Sequence, residues 1–305
     1  MTGILVLGKN GQVGQELVRV FDDTRDVTAM GRPELDLANP DAIRTVLRAL
    51  KPRIVINAAA FTAVDDAELK PAEAMAINRD APAVIAQEQK AWGGALIHYS
   101  TDYVFDGRKS SPYTEADVPA PLNTYGKSKL AGEQAIRDVG SAHLILRASW
   151  VYGASAHNFC RTIWRLAGER EELRVVCDQT GSPTWARTIA RVTRTLLEKC
   201  GDGIHGAREI YHLAAAGETT RHEFATRIIE LLSRRFGAGA LRAKQITAVP
   251  SAEFQTRAMR PRYSVLSSAK LQSGFGIELP RWDEDLAAFI GSTPAHFWQQ
   301  DPPPA

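Results

Sequence analysis

Apolar residues come in short unbroken runs through the first half of the chain: Ile4–Leu7, Val27–Met30, Ile54–Ile56, Leu96–His98 and Leu144–Leu146. Between them lie longer amphipathic stretches, Gln12–Phe21, Asp41–Leu50, Ala72–Gln89 and Tyr125–Asp138. A strand solvated on one face alternates apolar and polar residues, whereas an unbroken apolar run reads as a strand covered on both faces. Strands alternating with helices predict a parallel sheet, and right-handed crossovers make it a doubly wound α/β fold of Rossmann type. After Trp150 the regularity weakens. Helices are expected at Asn158–Ala167, Trp185–Lys199, Arg221–Arg235 and Trp282–Ile290, and strands at Leu173–Val176, Ile210–Leu213 and Ile246–Val249, with a break at Gly237–Gly239. This later half suits a smaller mixed unit that caps a ligand. We therefore expect a first domain over 1–149 and a second mainly over 150–305, with some later segments free to return to the first sheet.

Composition narrows the function classes. A chain of 305 residues with 37 Lys and Arg against 35 Asp and Glu carries a formal charge of only +2, which argues against a general nucleic-acid binder or a membrane-surface protein. A local basic pocket for a phosphate-bearing small molecule stays open. The three cysteines, Cys160, Cys177 and Cys200, form no CxxC pair, so they read as reduced thiols of a cytoplasmic protein rather than a disulfide framework or zinc site. Ile4–Leu7 is too short for a signal peptide, no run approaches a membrane span, and Asp301–Ala305 reads as a frayed tail.

The first chemical signal is Gly8-Lys9-Asn10-Gly11-Gln12-Val13-Gly14, which leaves the first strand and opens the first helix. Glycines at this spacing, here Gly8, Gly11 and Gly14, allow a tight turn, close approach to a pyrophosphate and close packing of helix on strand. The helix N-terminus then offers free N–H groups to phosphate. The pattern points to a nicotinamide dinucleotide, so residues 1–149 read as its binding domain. At the end of the second strand an acid would bind the ribose 2′-hydroxyl and an arginine a 2′-phosphate. Met30-Gly31-Arg32 has no acid, so Arg32 reads either as the 2′-phosphate partner, favouring NADPH over NADH, or as a solvated turn residue. Asp36 and Leu37 follow near the expected adenine. Small side chains at Ala58, Ala59 and Ala60, after Asn57, leave room for a ribose or else pack tightly under a helix.

The second signal is Tyr125 and Lys129, four residues apart on a predicted helix and so on one face. A tyrosine ordinarily keeps its proton up to about pH 10, and a neighbouring ammonium would bring it down toward a useful range. The lysine can also hold the nicotinamide ribose. Thr101, at the end of the fourth strand in His98-Tyr99-Ser100-Thr101-Asp102, would stand at the ligand edge of the sheet, where its hydroxyl could hold a substrate carbonyl beside Tyr125.

With these segments in order, the chain resembles the extended short-chain dehydrogenases/reductases. The resemblance is narrower still to the dTDP-4-dehydrorhamnose reductase family. It rests on Asn57–Glu68 (NAAAFTAVDDAE), Ser100–Gly107 (STDYVFDG), Tyr125–Glu133 (YGKSKLAGE), Arg147–Tyr152 (RASWVY), Asp178–Thr184 (DQTGSPT) and Arg260–Leu266 (RPRYSVL). It implies NADPH, or NADH, as donor and reduction of C4 of a dTDP-4-dehydro-L-rhamnose substrate. Tyr125 would give the proton, Lys129 would tune it and Thr101 would position the carbonyl. Gly11, Gln12 and Val13 would touch the pyrophosphate, Asp36 and Leu37 the adenosine, and Ala60 and Thr62 the nicotinamide side. Thr101, Asp102 and Trp150 match positions that contact the sugar nucleotide, and Asn158 and Arg260 are candidates for its diphosphate. Without the resemblance Trp150 reads as a core aromatic, and Arg260 as a solvated or structurally paired charge. Some family members form a dimer bridged by magnesium on glutamates. Glu16 matches one such position, but Arg187 falls where the second would be, so no metal bridge is expected and a homodimer stays open.

Two other classes compete. A sugar-nucleotide epimerase or dehydratase would recycle its cofactor, and a dehydratase would need an acid pair where Asp102 is followed by Tyr103. A non-catalytic regulatory subunit is disfavoured because both Tyr125 and Lys129 are present.

Overall fold

A computed structural model of the chain describes residues 3–24, 26–155 and 158–299; the tail expected at 301–305 lies outside them. In chain order β1 (Ile4–Leu7), α1 (Gln12–Val20), β2 (Val27–Met30), α2 (Pro40–Leu50) and β3 (Ile54–Asn57) lead into α3 (Val64–Leu69), α4 (Pro71–Met75) and α5 (Ala81–Ala91). Then come β4 (Ala95–Thr101), α6 (Thr124–Val139) and β5 (Ala142–Ala148). All five strands are parallel, and Arg208–His212 joins beyond β5, giving the order Arg208–His212, β5, β4, β3, β1, β2.

Successive side chains of a strand point to opposite faces, so each apolar run feeds two cores. Leu5, Leu7, Val55, Leu96 and Ile145 pack under α2, α5 and α6 with Ile43, Leu47, Ile85 and Ile136. Val6, Ile56, Ile97 and Leu146 pack on the other face with Leu17 of α1 and Ile189 and Leu196 of α8 (Ala186–Cys200). The chain leaves β1 toward β2 on one side and returns to β3 on the other. The crevice at the C-terminal ends of β1 and β3 is therefore the switch point where doubly wound sheets take ligands.

The helix expected over Ala72–Gln89 is broken by a π turn at Ala76–Asp80. Pro82 has no N–H for the carbonyl of Asn78, and that carbonyl lies against Gly132 of α6. The segment after Trp150 divides. α8 packs on α1 and Arg208–His212 extends the sheet, while α7 (Phe159–Glu169), α9 (Arg221–Phe236), Trp282–Ser292 and the parallel pair Glu172–Val176 with Gln245–Val249 build a second unit. Its core holds Tyr152, Phe224 and Phe289, with the Tyr152 and Phe289 rings edge to face at 5.2 Å. Helices at Ala269–Phe275 and Ala295–Gln299 were not expected. No helix among the described residues is long and apolar enough to cross a membrane.

Candidate active site

The glycine turn is built as its spacing requires. Gly8 has a φ of +86°, and a Cβ there would sit 2.7 Å from the Ala59 nitrogen. A Cβ on Gly14 would overlap the Gly8 carbonyl oxygen, so only glycine lets α1 approach β1 this closely. Gly11 starts α1 without a side-chain cap, which leaves the first N–H groups of the helix open to an anion. The crevice beside the turn has a volume of about 390 Å³ and is lined by Gly8, Gly11, Gln12, Val13, Arg32, Ala58, Ala59, Ala60, Thr62, Tyr125 and Lys129. A second hollow of about 300 Å³ continues past Arg32 to Asp36 and Leu37. Gln12 Oε1 and Ser100 Oγ are buried beside this space without a hydrogen-bond partner among the described residues, which suits a polar ligand that supplies one.

Arg32 is exposed where the two hollows meet. The nearby acid is Glu34, which accepts from the Gly31 N–H at 2.8 Å and from Lys9 at 2.7 Å. The Lys9 ammonium and the Gly31 N–H hold it below the usual carboxylate range. Asp36 accepts from the Ala38 N–H at 3.0 Å, a turn-forming bond at the rim.

Tyr125 and Lys129 rise into the same crevice from α6. Asn123 caps this helix by accepting from the Gly126 N–H at 2.8 Å. Asn78 fixes its first turn, bonding Ser128 Oγ at 2.9 Å and both the N–H and the carbonyl of Phe61. The Tyr125 hydroxyl bonds Thr101, at the end of β4, and burial pushes its pKa up against that bond. Lys129 does not do what its spacing suggested. Its Nζ donates to the Tyr99 carbonyl at 2.6 Å and meets His98 Nε2 at 3.1 Å. Here desolvation, not a neighbouring ammonium, sets the phenol, and the phenol is held neutral. Burial pushes Lys129 itself down to about 8, with Glu133 opposing.

Beyond Thr101 the sheet edge meets the second unit. Asp102 is buried and accepts from Ser149 at 3.0 Å and Thr101 at 3.2 Å. Burial raises its pKa to about 6, with bonds from Ser264 and Ser149 and the charge of Arg221 opposing. Trp150 is not simply a core residue. It adopts a φ of +44°, a conformation bulky side chains rarely take, and Gly181 leaves the space its indole fills. The Arg221 guanidinium lies 3.5 Å over the Trp150 ring centroid and 5.1 Å from that of Phe159.

A cavity of about 450 Å³ opens here, lined by Asn158, Phe159, Thr162, Gln179, Arg221 and Arg260 among others. Arg260 is tied to Asp65 at 2.6 Å and to the Ala258 carbonyl at 3.1 Å, and it shares the Tyr103 hydroxyl with Arg221. Asn158 is committed elsewhere: its Oδ1 caps α7 at the Arg161 N–H (3.1 Å) and its Nδ2 reaches the Gly153 carbonyl (2.8 Å). Both bonds fix its side chain at the cavity wall. The Glu16 carboxylate is taken by Arg19 at 2.8 Å and Arg187 at 3.0 Å, a donor set that does not fit a divalent cation.

The family profile described as the RmlD substrate binding domain matches residues 1–294. A curated dTDP-4-dehydrorhamnose reductase of Burkholderia thailandensis is 45% identical over 282 residues, covering 92% of this chain and 95% of that protein. The chain belongs to the dTDP-4-dehydrorhamnose reductase family. The Escherichia coli K12 member of the family is 42% identical over 287 residues, covering 92% of this chain and 94% of its own. The family member from Bacillus anthracis, solved in complex with NADP, superposes with a TM-score of 0.87 at 32% identity, covering 96% of this chain and 99% of that one. A Thermus thermophilus UDP-glucose 4-epimerase with a TM-score of 0.77 is only 17% identical and shares the fold alone.

Three residues of this family member escaped the sequence. Arg221 read as an ordinary first residue of a helix, and only the fold lays it on Trp150. Ser100 sat beside the more conspicuous Thr101. His98 read as the last residue of an apolar run in the fourth strand, and nothing in the linear pattern placed it under Lys129.

Proposed function

We propose that the chain reduces the C4 ketone of dTDP-4-dehydro-L-rhamnose to dTDP-L-rhamnose with NADPH as donor. The observation that carries this reading is the Tyr125 hydroxyl, bonded to Thr101 and facing the crevice that the glycine turn opens. When bound, the nicotinamide supplies the hydride. Gly11, Gln12 and Val13 would hold the pyrophosphate, Arg32 the 2′-phosphate, Asp36 and Leu37 the adenosine, and Lys129 the nicotinamide ribose.

Thr101 and Tyr125 would hold the ketone oxygen between two hydroxyls, the Thr101 proton turning to it from Asp102. As that oxygen gains charge, Tyr125 gives it a proton, and the C=O group becomes CH–OH. Reduction requires a protonated acid at rest, and burial of the phenol maintains that form. Lys129, donating to Tyr99, fixes the floor of the site. The second unit would take the nucleotide, with Arg221 and Arg260 meeting the diphosphate. Asp102 stays bonded to Ser149, and Tyr103 follows it where a dehydratase would need a second acid, which weighs against a dehydratase.

The test is to follow loss of NADPH absorbance with dTDP-4-keto-6-deoxy sugars and identify the product by NMR. One NADPH consumed per rhamnosyl product supports the reductase; a product without net consumption points to an epimerase. Two variants probe the ligand contacts. Arg32→Ala should raise KM for NADPH by about tenfold and leave that for NADH nearly unchanged, the weight of one charge-assisted contact. Equal effects on both would remove Arg32 from the 2′-phosphate. Arg221→Leu should raise KM for the sugar nucleotide by about ten- to a hundredfold with the KM for NADPH steady. An unchanged sugar-nucleotide KM would return Arg221 to a packing role.

A further inference from the structure

Asn57, His98 and Lys129 form a buried chain beneath the crevice. The Ala59 N–H donates to Asn57 Oδ1 at 3.2 Å, which turns Asn57 Nδ2 toward His98 Nδ1, also at 3.2 Å. The other ring nitrogen, Nε2, lies 3.1 Å from Lys129 Nζ. His98 is fully buried, and Asn57 and Lys129 are 1% and 2% exposed.

Nitrogen faces nitrogen at both ends of the imidazole, which fixes where the protons sit. Turning Asn57 over would set its NH₂ against the Ala59 N–H, so the amide must donate and Nδ1 must be bare. A second ring proton would oppose that same NH₂, and burial pushes the His98 pKa down. The single proton of a neutral ring therefore lies on Nε2 and points at Lys129. It needs a lone pair there, and only the amine has one. The amine fits this place fully: its lone pair takes His98, one N–H reaches the Tyr99 carbonyl at 2.6 Å, and one N–H remains for the crevice.

We propose that His98 is a positioning residue that favours the uncharged amine of Lys129 in the ligand-free protein, so that charging the lysine requires the ring proton to change nitrogens and the Asn57 amide to release Ala59. The charge of the lysine is thereby coupled to the wall formed by Ala58, Ala59 and Ala60. One group facing this centre opposes it. Glu133 of α6 favours the ammonium, but its carboxylate is tied to Arg147 of β5 at 2.6 Å. Tyr125 is neutral, Tyr99 offers only its carbonyl, and burial pushes the lysine down to about 8.

The direct test is the His98 tautomer in ligand-free, ¹⁵N-labelled protein by long-range nitrogen–proton correlation at about pH 9.5, above the value of about 8 to which burial pushes Lys129. A proton on Nε2 is expected; one on Nδ1 overturns the proposal. The second arm follows NADPH binding by fluorescence against pH, and rests on the reading of the crevice as the cofactor site. If the ribose needs the ammonium, binding weakens as pH rises through the lysine pKa. His98→Gln presents a carbonyl that accepts from an ammonium without any tautomer to satisfy. Its alkaline limit should then move up by about one pH unit. A limit that stays in place in a variant with the parent melting temperature counts against the proposal. If the protein binds no NADPH at any pH, the cofactor reading fails, while the tautomer still decides the role of His98.

Discussion

Replacing Tyr125 by Phe should lower kcat by roughly 10²–10⁴-fold, the usual weight of a positioned general acid. The ring stays, so the wall of the crevice and the helix that carries it stay too. NADPH affinity, read by fluorescence titration, should change by less than about threefold, because the loss is confined to a group used in the transition state. The pH dependence adds a sign. Burial raises the pKa of this phenol, so Tyr125 remains protonated across the neutral range and should contribute no loss of kcat below pH 9 or so. Undiminished turnover in Tyr125→Phe would remove the residue from the chemistry. A fall in kcat matched by an equal loss of NADPH binding would instead assign it to the cofactor.

The sheet and its crevice were legible because each rests on a local rule. Unbroken apolar runs made β1, β3 and β4 readable as covered strands, and Gly8, Gly11 and Gly14 announced the turn by spacing alone. What stayed hidden depends on contacts distant in the chain. The π turn at Ala76–Asp80 needs both Pro82 and the approach of Gly132 from α6. Arg221 becomes a site residue only when α9 is laid against Trp150. The lysine shows the same limit in its chemistry. Four-residue spacing correctly set Lys129 on the face of Tyr125, but it could not show that His98 and the Tyr99 carbonyl would claim the nitrogen first. Spacing gives neighbourhood; burial and competing partners decide charge. Asn158 adds a case: its side chain caps α7 and reaches the Gly153 carbonyl, partners that the linear pattern did not show.

Gly14→Val should be the most damaging single change in the nucleotide-binding turn, because the obstacle is backbone. The new Cβ would overlap the carbonyl of Gly8 and crowd the Cα of Lys9, and neither can swing aside as a side chain would. Helix α1 would have to lift from β1, loosening Leu17 and Phe21 from the core beneath it. Overpacking of this kind, with the poorer helix propensity of valine added, costs about 3 kcal/mol. Melting should fall by about 5 °C or more, and NADPH binding should weaken by at least about tenfold as the N–H groups of the first turn leave their places. Gly11→Ala separates the two effects. Its Cβ would meet the Gly8 oxygen at 3.4 Å, an ordinary contact, and its φ of −79° suits alanine. That variant should keep the parent melting temperature and lose affinity only as far as the methyl group obstructs the pyrophosphate. If Gly14→Val melts and binds like the parent, α1 is not held against the turn as closely as Gly8 and Gly14 indicate, and the geometry offered to the phosphates must be redrawn.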